Sequence, residues 1–451
     1  MFFFSRKPHV IIVNRENHCL SRRDIDPDAL KVLYRLSSLN HEAYLVGGSV
    51  RDLLLGRSPK DFDVGTDARP TEIRKIFRNC FLIGKRFRLA HIVFGKKVIE
   101  TATFRKTPDA TAVADEHGLY QFEDNTYGTP EEDARRRDFT VNGLFYDIRT
   151  FSIIDWVDGL RDLKAHVIRS IGDPAIRFQE DPVRMMRAVR FAAKLDFEIC
   201  SADARAIRKY APALANASIS RLCEEIQRLF VKGTTERSIR LAYSHGLLHA
   251  LLPSLAAWLD QGSNRQKSLW ATLHALDTAA KDFDPTSAVS FAALYWPMVA
   301  QELETSGKKA SDHYARRTVA EEILEPAVRK YKLPRAVWMT AVDVIELAPR
   351  FGMVPRANGA RDVRFAGHGI FPEALMFAKV LALLTPSQTT HFDAWSQLAS
   401  DATPVITDET GEEIQRPKPN PHARRMRRPR GRKPTGIQPN AEAESPLSLN
   451  K

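Results

Sequence analysis

Two adjacent glycines, Gly47 and Gly48, are followed after a short helix-like stretch by two aspartates, Asp61 and Asp63, the first of them fourteen residues beyond Gly47. Glycine has no Cβ, so a strand that turns into a helix through Gly47-Gly48 can bring backbone N–H groups close to a phosphate. Arg51, one helical turn further, carries a guanidinium able to reach the same phosphates. On a strand, residues two apart share a face, so Asp61 and Asp63 project together. Two like charges that close cost free energy unless a cation lies between them. Magnesium suits this place, because it prefers oxygen ligands and keeps positions open for substrate phosphates. Paired metals on such carboxylates can activate an attacking hydroxyl and stabilise a leaving pyrophosphate. Each motif alone is common in turns and ion pairs. Their order along the chain is what makes the combination specific.

The elements that must hold these residues follow from local pattern. Residues 43–46 read as an apolar strand, and residues 48–55 as a short helix closed by Gly56. Residues 61–64 alternate and read as a strand. Asp28 to Leu39 and Pro70 to Phe77 have helical spacing, the latter opening on proline. His91 to Phe94 and Val98 to Phe104 read as strands around the turn Gly95-Lys96. Residues 106–128 carry no periodicity and read as a loop. Pro130 to Arg137 reads as a charged helix, and Val141 to Ile148 with Phe151 to Trp156 as a hairpin. From Asp173 onward nearly every periodic segment is helical. Beyond residue 402 the chain turns rich in proline, arginine, glutamate and asparagine, the signature of a disordered tail.

Composition bounds the class. The chain has 451 residues, 43% apolar and 27% charged, which fits a globular protein of several domains. The longest clean apolar stretch, Ala288 to Ala300, is too short for a membrane span and contains Pro297. Met1 to Phe4 is apolar, but its basic residues follow rather than precede it, unlike a secretory signal. Four scattered cysteines without a CxxC pair suit a reducing compartment, and the expected location is the cytoplasm. The net charge is +12, and nine basic residues with no acidic one lie between Arg416 and Lys433. No Gly-Lys is followed by Ser or Thr, which excludes a P-loop ATPase.

The stretch LVGGSVRDLLLGRSPKDFDVGTDARP resembles the head motif of the class II nucleotidyltransferases, the superfamily of bacterial poly(A) polymerases and tRNA CCA-adding enzymes. RRDFTVNGLFYD (Arg136 to Asp147), EDPVRMMRAVRFAAKL (Glu180 to Leu195) and RLCEEIQRLF (Arg221 to Phe230) resemble the later motifs of the family, in order. The resemblance implies an α+β fold: a polymerase-beta-like head of mixed sheet and helices, an all-helical neck and body, and a disordered basic tail. It divides the chain into a lead-in (1–23), a head (24–165), a neck (166–235), a body (236–402) and a tail (403–451). It also implies roles. Asp61 and Asp63 hold the metals; Gly47, Gly48 and Arg51 hold the triphosphate; Arg137 and Asp138 contact the ribose or support the site. Asp181 and Arg184, three apart on a helix, read the base edge. The third carboxylate of the site is Glu100, on a strand of the same sheet, or Asp138; strand geometry favours Glu100 beside the metals and Asp138 as an essential site residue.

Three features favour poly(A) synthesis over CCA addition. The segment from Leu82 to His91, followed by Ile99 to Arg105, resembles the stretch that sets bacterial poly(A) polymerases apart. None of the 13 histidines is followed by aspartate, unlike the phosphohydrolase domain of some CCA-adding enzymes. The tail cations Arg424, Arg425, Arg427, Arg428, Arg430, Arg432 and Lys433 have no aromatic neighbour, which points to sequence-independent attraction to RNA phosphates. The expected activity is template-independent transfer of AMP from ATP to single-stranded RNA 3′ ends with two Mg2+ ions and release of pyrophosphate. CCA addition is the first alternative and a non-catalytic RNA-binding protein the second.

Overall fold

The computed structural model describes residues 10–84, 88–106, 126–307, 312–385 and 390–402. The Lys85-Arg86-Phe87 turn, most of the 106–128 segment and the 403–451 tail with its cations lie outside the described residues. The chain opens with β1 (Ile11–Val13) and α1 (Pro27–Ser38). Asp26 starts α1 by accepting the N–H groups of Asp28 and Ala29, and Pro27 occupies the first turn. One face of α1, made of Ala29, Val32, Leu33 and Leu36, is fully buried. There follow β2 (Ala43–Val46), α2 (Gly48–Leu54), β3 (Asp63–Thr66), α3 (Pro70–Ile76), β4 (Cys80–Ile83), β5 (Leu89–Phe94) and β6 (Lys97–Thr103). Next come α4 (Pro130–Arg136), whose start is locked by a Thr129/Glu132 capping box, and the hairpin β7 (Leu144–Asp147) and β8 (Ser152–Asp155).

These strands form one sheet in the order β1-β8-β7-β2-β3-β6-β5-β4. Every pairing is antiparallel except that of β3 with β6, so the sheet is mixed. One face packs on the main core. On the other, Tyr44, Val46, Phe104, Ala134 and Phe145 form a smaller cluster. Gly65 on β3 is required by that cluster, because a Cβ there would stand 2.7 Å from the Phe104 ring.

Two strands depart from the reading of the sequence. Residues 1–23 read in the sequence as a mixed polar and apolar lead-in with no strand assigned, yet β1 adds an edge strand, pairing Ile11 with Asp155. β4 closes the opposite edge. Edge strands of three or four residues are too short to show a period.

After the sheet the chain is helical, as expected. α5 (Gly159–Lys164), β9 (Val167–Ile168), α6 (Pro174–Glu180), α7 (Val183–Leu195), β10 (Glu198–Ile199), α8 (Ser201–Tyr210) and α9 (Ile219–Leu229) come first, with β9 and β10 as a two-residue parallel ladder. Then follow α10 (Thr235–Ser244), α11 (Leu247–Leu251), α12 (Pro253–Leu259), α13 (Ser263–Ala279), α14 (Ser287–Thr305), α15 (His313–Tyr331), α16 (Arg335–Leu347), α17 (Ala360–Ala366), α18 (Phe371–Leu384) and α19 (Phe392–Ala402). A continuous apolar core joins the sheet to these helices. Among the described residues no single helix is long and apolar enough to cross a membrane; α17 and α18 pass such a test only jointly, bent by 92°.

Candidate active site

Cross-strand register places the carboxylates. Val46, the last residue of β2, faces Asp63, the first of β3. On its other side β3 runs parallel to β6, with Val64 beside Thr101. One step back along both strands, Asp63 and Glu100 therefore share a face at the same end of the sheet. Burial, then the charges of Glu100 and Asp61, push the Asp63 carboxyl up to about 6 against the pull of Arg137. Asp61 sits in the exposed approach to β3 rather than on the strand itself, which begins at Asp63. Glu100 is exposed, with His91 beside it.

Mutual repulsion at a buried carboxylate is the condition a cation relieves, so Asp61 and Asp63 fit a divalent metal. Among the described residues no three His, Cys, Asp or Glu side chains form a ready-made cage, so Asp61, Asp63 and Glu100 are not a closed ligand set. Mg2+ is ordinarily held by one or two carboxylates, with waters and substrate phosphates completing the shell.

The opposite side of Asp63 is built on Gly47. Its N–H donates to the Leu144 carbonyl at 3.0 Å, and its φ of +73° lies in the left-handed region. α2 starts at Gly48 without a side-chain cap. Arg137 occupies the space above Gly47. Its Nε and Nη2 donate to Asp133 at 3.2 and 2.9 Å, and its guanidinium lies over the Phe145 ring. Arg51 is more committed than its sequence position suggests. It is buried, with Nε donating to Asp52 and Nη1 to Asn142, so a phosphate meets only the N–H groups left over.

Asp138 is clamped. Burial alone would raise its carboxyl, but the Arg187 charge and hydrogen bonds from Asn142, Arg187 and the Phe139 N–H outweigh it and hold it at about 2. Its lone pairs are thus spent on protein donors. Arg187 belongs to α7, so this pair ties that helix to the sheet. Arg177 of α6 adds a second tie, donating to the carbonyls of Arg136 and Arg137 at 2.6 and 2.7 Å. Replacing Arg187 by Met leaves Asp138 buried without its cation. The expected cost is ~3 kcal/mol of stability, read by urea melts at neutral pH. Below pH 2, where Asp138 is protonated, variant and parent should converge.

Asp181 and Arg184 require a correction. They were expected on one helix, but Asp181 lies in the break between α6 and α7, held extended before Pro182. The Arg184 N–H donates to the Asp181 carbonyl at 3.1 Å, but their side chains turn to other partners. Asp181 accepts from Arg221 of α9 at 2.8 Å, and Arg184 donates to Glu180 at 3.2 Å. Arg187, Arg190 and Lys194 continue along α7. The sequence reading passed over these three, although their spacing from Arg184 repeats the helical period opposite the apolar face. Arg51, Arg187 and Arg190 surround the Phe191 ring at 5.3, 5.4 and 4.7 Å.

These residues converge on a cleft of about 670 Å³ between the sheet and α7. It gathers Gly47, Gly48, Arg51, Asp61, Asp63, Arg137, Asp138, Asp181 and Arg184. Glu100 stands outside it, beyond Asp63. Nine basic and seven acidic side chains line the cleft, a positive surplus suited to a polyphosphate.

A mixed sheet that carries a Gly-Gly turn beside paired aspartates, with a helix, α7, lining the other side of the cleft, defines a nucleotidyltransferase. Residues 43–169 match the model of the "Poly A polymerase head domain", and residues 196–259 that of the "Probable RNA and SrmB- binding site of polymerase A". The chain is 37% identical to poly(A) polymerase I of Escherichia coli O6:H1, over 95% of this chain and 93% of that protein. A CCA-adding enzyme of Lactobacillus helveticus is 38% identical, but over 46% of this chain and 50% of its own length. Among solved structures, the Bacillus stearothermophilus CCA-adding enzyme in complex with CTP is similar at 28% identity with a TM-score of 0.59, covering 84% of this chain and 82% of that one. The chain belongs to the bacterial poly(A) polymerase family.

Proposed function

We propose that the chain transfers AMP from ATP to the 3′ hydroxyl of single-stranded RNA without a template, releasing pyrophosphate. The observation that carries the chemistry is the placement of Asp63 in register between the Gly47 turn and Glu100. Choice of product is supported by extent: the poly(A)-synthesising relative aligns along nearly the whole chain, the CCA-adding one along half.

Asp61 and Asp63 would hold two Mg2+ ions, with Glu100 beside them; such ions, when bound, activate the attacking hydroxyl and stabilise the leaving oxygen. Gly47, whose own N–H is held by Leu144, turns the chain so that the triphosphate can approach the N–H groups from Gly48 onward at the start of α2, and Arg51 and Arg137 neutralise it from either side. Asp138 braces this wall through Arg187 and Asn142. Asp181 accepts from the exocyclic amine of adenine and Arg184 donates to a ring nitrogen, with Arg221 and Glu180 setting their orientation. The division into head, neck, body and tail belongs to this proposal, as does a cytoplasmic location, which the absence of any disulfide at Cys19, Cys80, Cys200 and Cys223 suits.

The test offers the full chain Mg2+, a generic RNA primer and a tRNA lacking its CCA end, with ATP alone, CTP alone and both. A long ladder on the generic primer with ATP alone is the expected result. Three additions confined to the tRNA would make it a CCA-adding enzyme, and no product on any acceptor would leave a non-catalytic RNA-binding protein.

The tail cations Arg424, Arg425, Arg427, Arg428, Arg430, Arg432 and Lys433 are proposed to tether RNA by its phosphates. Deleting residues 415–451 is expected to weaken RNA binding and flatten its salt dependence by roughly 0.7 in log–log slope per lost phosphate contact. Turnover on a saturating short primer should persist. An unchanged slope in a binding titration would place the RNA elsewhere.

A further inference from the structure

The line of side chains through Asp63 and Glu100 continues to the edge of the sheet. Glu100 faces His91 on β5, and His91 faces Phe81 on β4. Directly opposed residues point the same way, so Asp63, Glu100, His91 and Phe81 form one row. His91 Nε2 lies 3.7 Å from a Glu100 carboxylate oxygen. Phe81 is 60% exposed, and Ile83 and Val98 on the same face are 49% and 42% exposed. An aromatic ring and two branched side chains are thus open to solvent beside the carboxylates.

The chemistry gives this face a direction. Val46, on the other side of Asp63, leads directly into the Gly47 turn. In an in-line displacement the attacking and leaving oxygens stand on opposite sides of the phosphorus. With the pyrophosphate on the Gly47 side, the attacking hydroxyl arrives from the Glu100 side.

We propose that the Glu100–His91–Phe81 row seats the 3′-terminal nucleotide of the acceptor RNA. His91 hydrogen-bonds to the terminal ribose, and Phe81 stacks against the terminal base. Every base has a π-face, so such a seat accepts any 3′ end, which is what extension of many RNAs requires. The inference rests on the adenylyltransferase reading and adds to it the residues that receive the acceptor.

The experiment measures primer extension by the full chain, varying RNA and ATP independently, for the parent, Phe81→Ser and His91→Ala. Both side chains leave the main core untouched, and thermal melts verify that the fold persists. The expected result is a rise of about 10-fold in KM for the primer with Phe81→Ser, and KM for ATP unchanged. Ile12→Ser, at the other end of the same row and 58% exposed, should change neither. A primer ending in 4-thiouridine should photo-crosslink to the β4–β5 peptide of the parent and lose that crosslink in Phe81→Ser. Unchanged primer KM in both variants, or a crosslink confined to α7 and α9, overturns the proposal while leaving the activity in place. So does a parent dimer that Phe81→Ser dissociates without moving primer KM, which would make the face a contact between copies. A parent that extends no RNA at all overturns the activity itself, and the seat with it.

Discussion

Asp63→Asn is expected to abolish nucleotide addition and, without divalent metal, to make the protein more stable. The activity loss should reach at least about 10³-fold, since several kcal/mol of transition-state stabilisation passes through this carboxylate. The stability gain follows from its titration. The Asp63 carboxyl is raised from 3.8 to about 6, chiefly by burial and by Glu100. Below pH 3.8 the group is protonated whether the chain is folded or not. Between there and pH 6 the folded state keeps the proton longer, so stability falls as pH rises through this window and stays lower above it. At ~1.4 kcal/mol per unit, the rise from 3.8 to about 6 makes the penalty near neutrality ~3 kcal/mol. Asparagine has nothing to ionise and escapes it. Urea melts at pH 4 and pH 7.5 should therefore show parent and variant converging in acid and separating by ~3 kcal/mol at neutrality. Adding Mg2+ should stabilise the parent more than the variant, narrowing or reversing the gap. Equal stability at both pH values, or an equal response to Mg2+, would remove the case for Asp63 as a cation-binding carboxylate. Asp61→Ala is the companion: Asp61 is exposed, so the same loss of activity is expected without the gain in stability.

That trade between charge and stability explains which parts of the site could be seen in the sequence. Gly47, Gly48, Asp61 and Asp63 were legible because their chemistry is local: two glycines at a strand end and two carboxylates two residues apart. The α+β plan was legible for the same reason, since α1, α7 and most of the later helices carry their own period. What escaped depends on pairing between distant segments. Glu100 was named from its strand as one of two candidates, but its place directly beside Asp63 comes from the parallel register of β3 with β6. The Asp138–Arg187 clamp joins residues 49 apart, and the Asp181–Arg221 pair residues 40 apart. No local pattern announces either. One miss was avoidable. Pro182 disfavours a helical Asp181, and this was enough to place that residue in a break rather than on α7. Arg51 shows the reverse case, a side chain whose position was read correctly while its commitment to Asp52 and Asn142 could not be.

Gly47→Ala is expected to lower kcat/KM for ATP by about 10²-fold and to lower the melting temperature, whereas Gly48→Ala, one residue on, should leave the melt unchanged. The two glycines look equivalent in sequence and are not equivalent in space. At Gly47 a Cβ would lie 2.7 Å from Arg137 Nη1, and φ is +73°. At Gly48 the nearest atom is Arg51 Nη2 at 3.5 Å, an ordinary contact, and φ carries no strain. The left-handed backbone alone costs ~1–2 kcal/mol for a residue with a Cβ. The collision adds a second effect, because Arg137 must leave Gly47 and with it the geometry fixed by Asp133 and the Phe145 ring. A guanidinium moved even slightly no longer meets the triphosphate as the transition state requires. The two contributions separate in a double variant. With Arg137→Ala already present the collision is gone, so adding Gly47→Ala should cost only the backbone strain, seen in the melt, and little further activity. If the two activity losses simply multiply, Arg137 is not what makes Gly47 indispensable, and the glycine acts through its own backbone conformation instead.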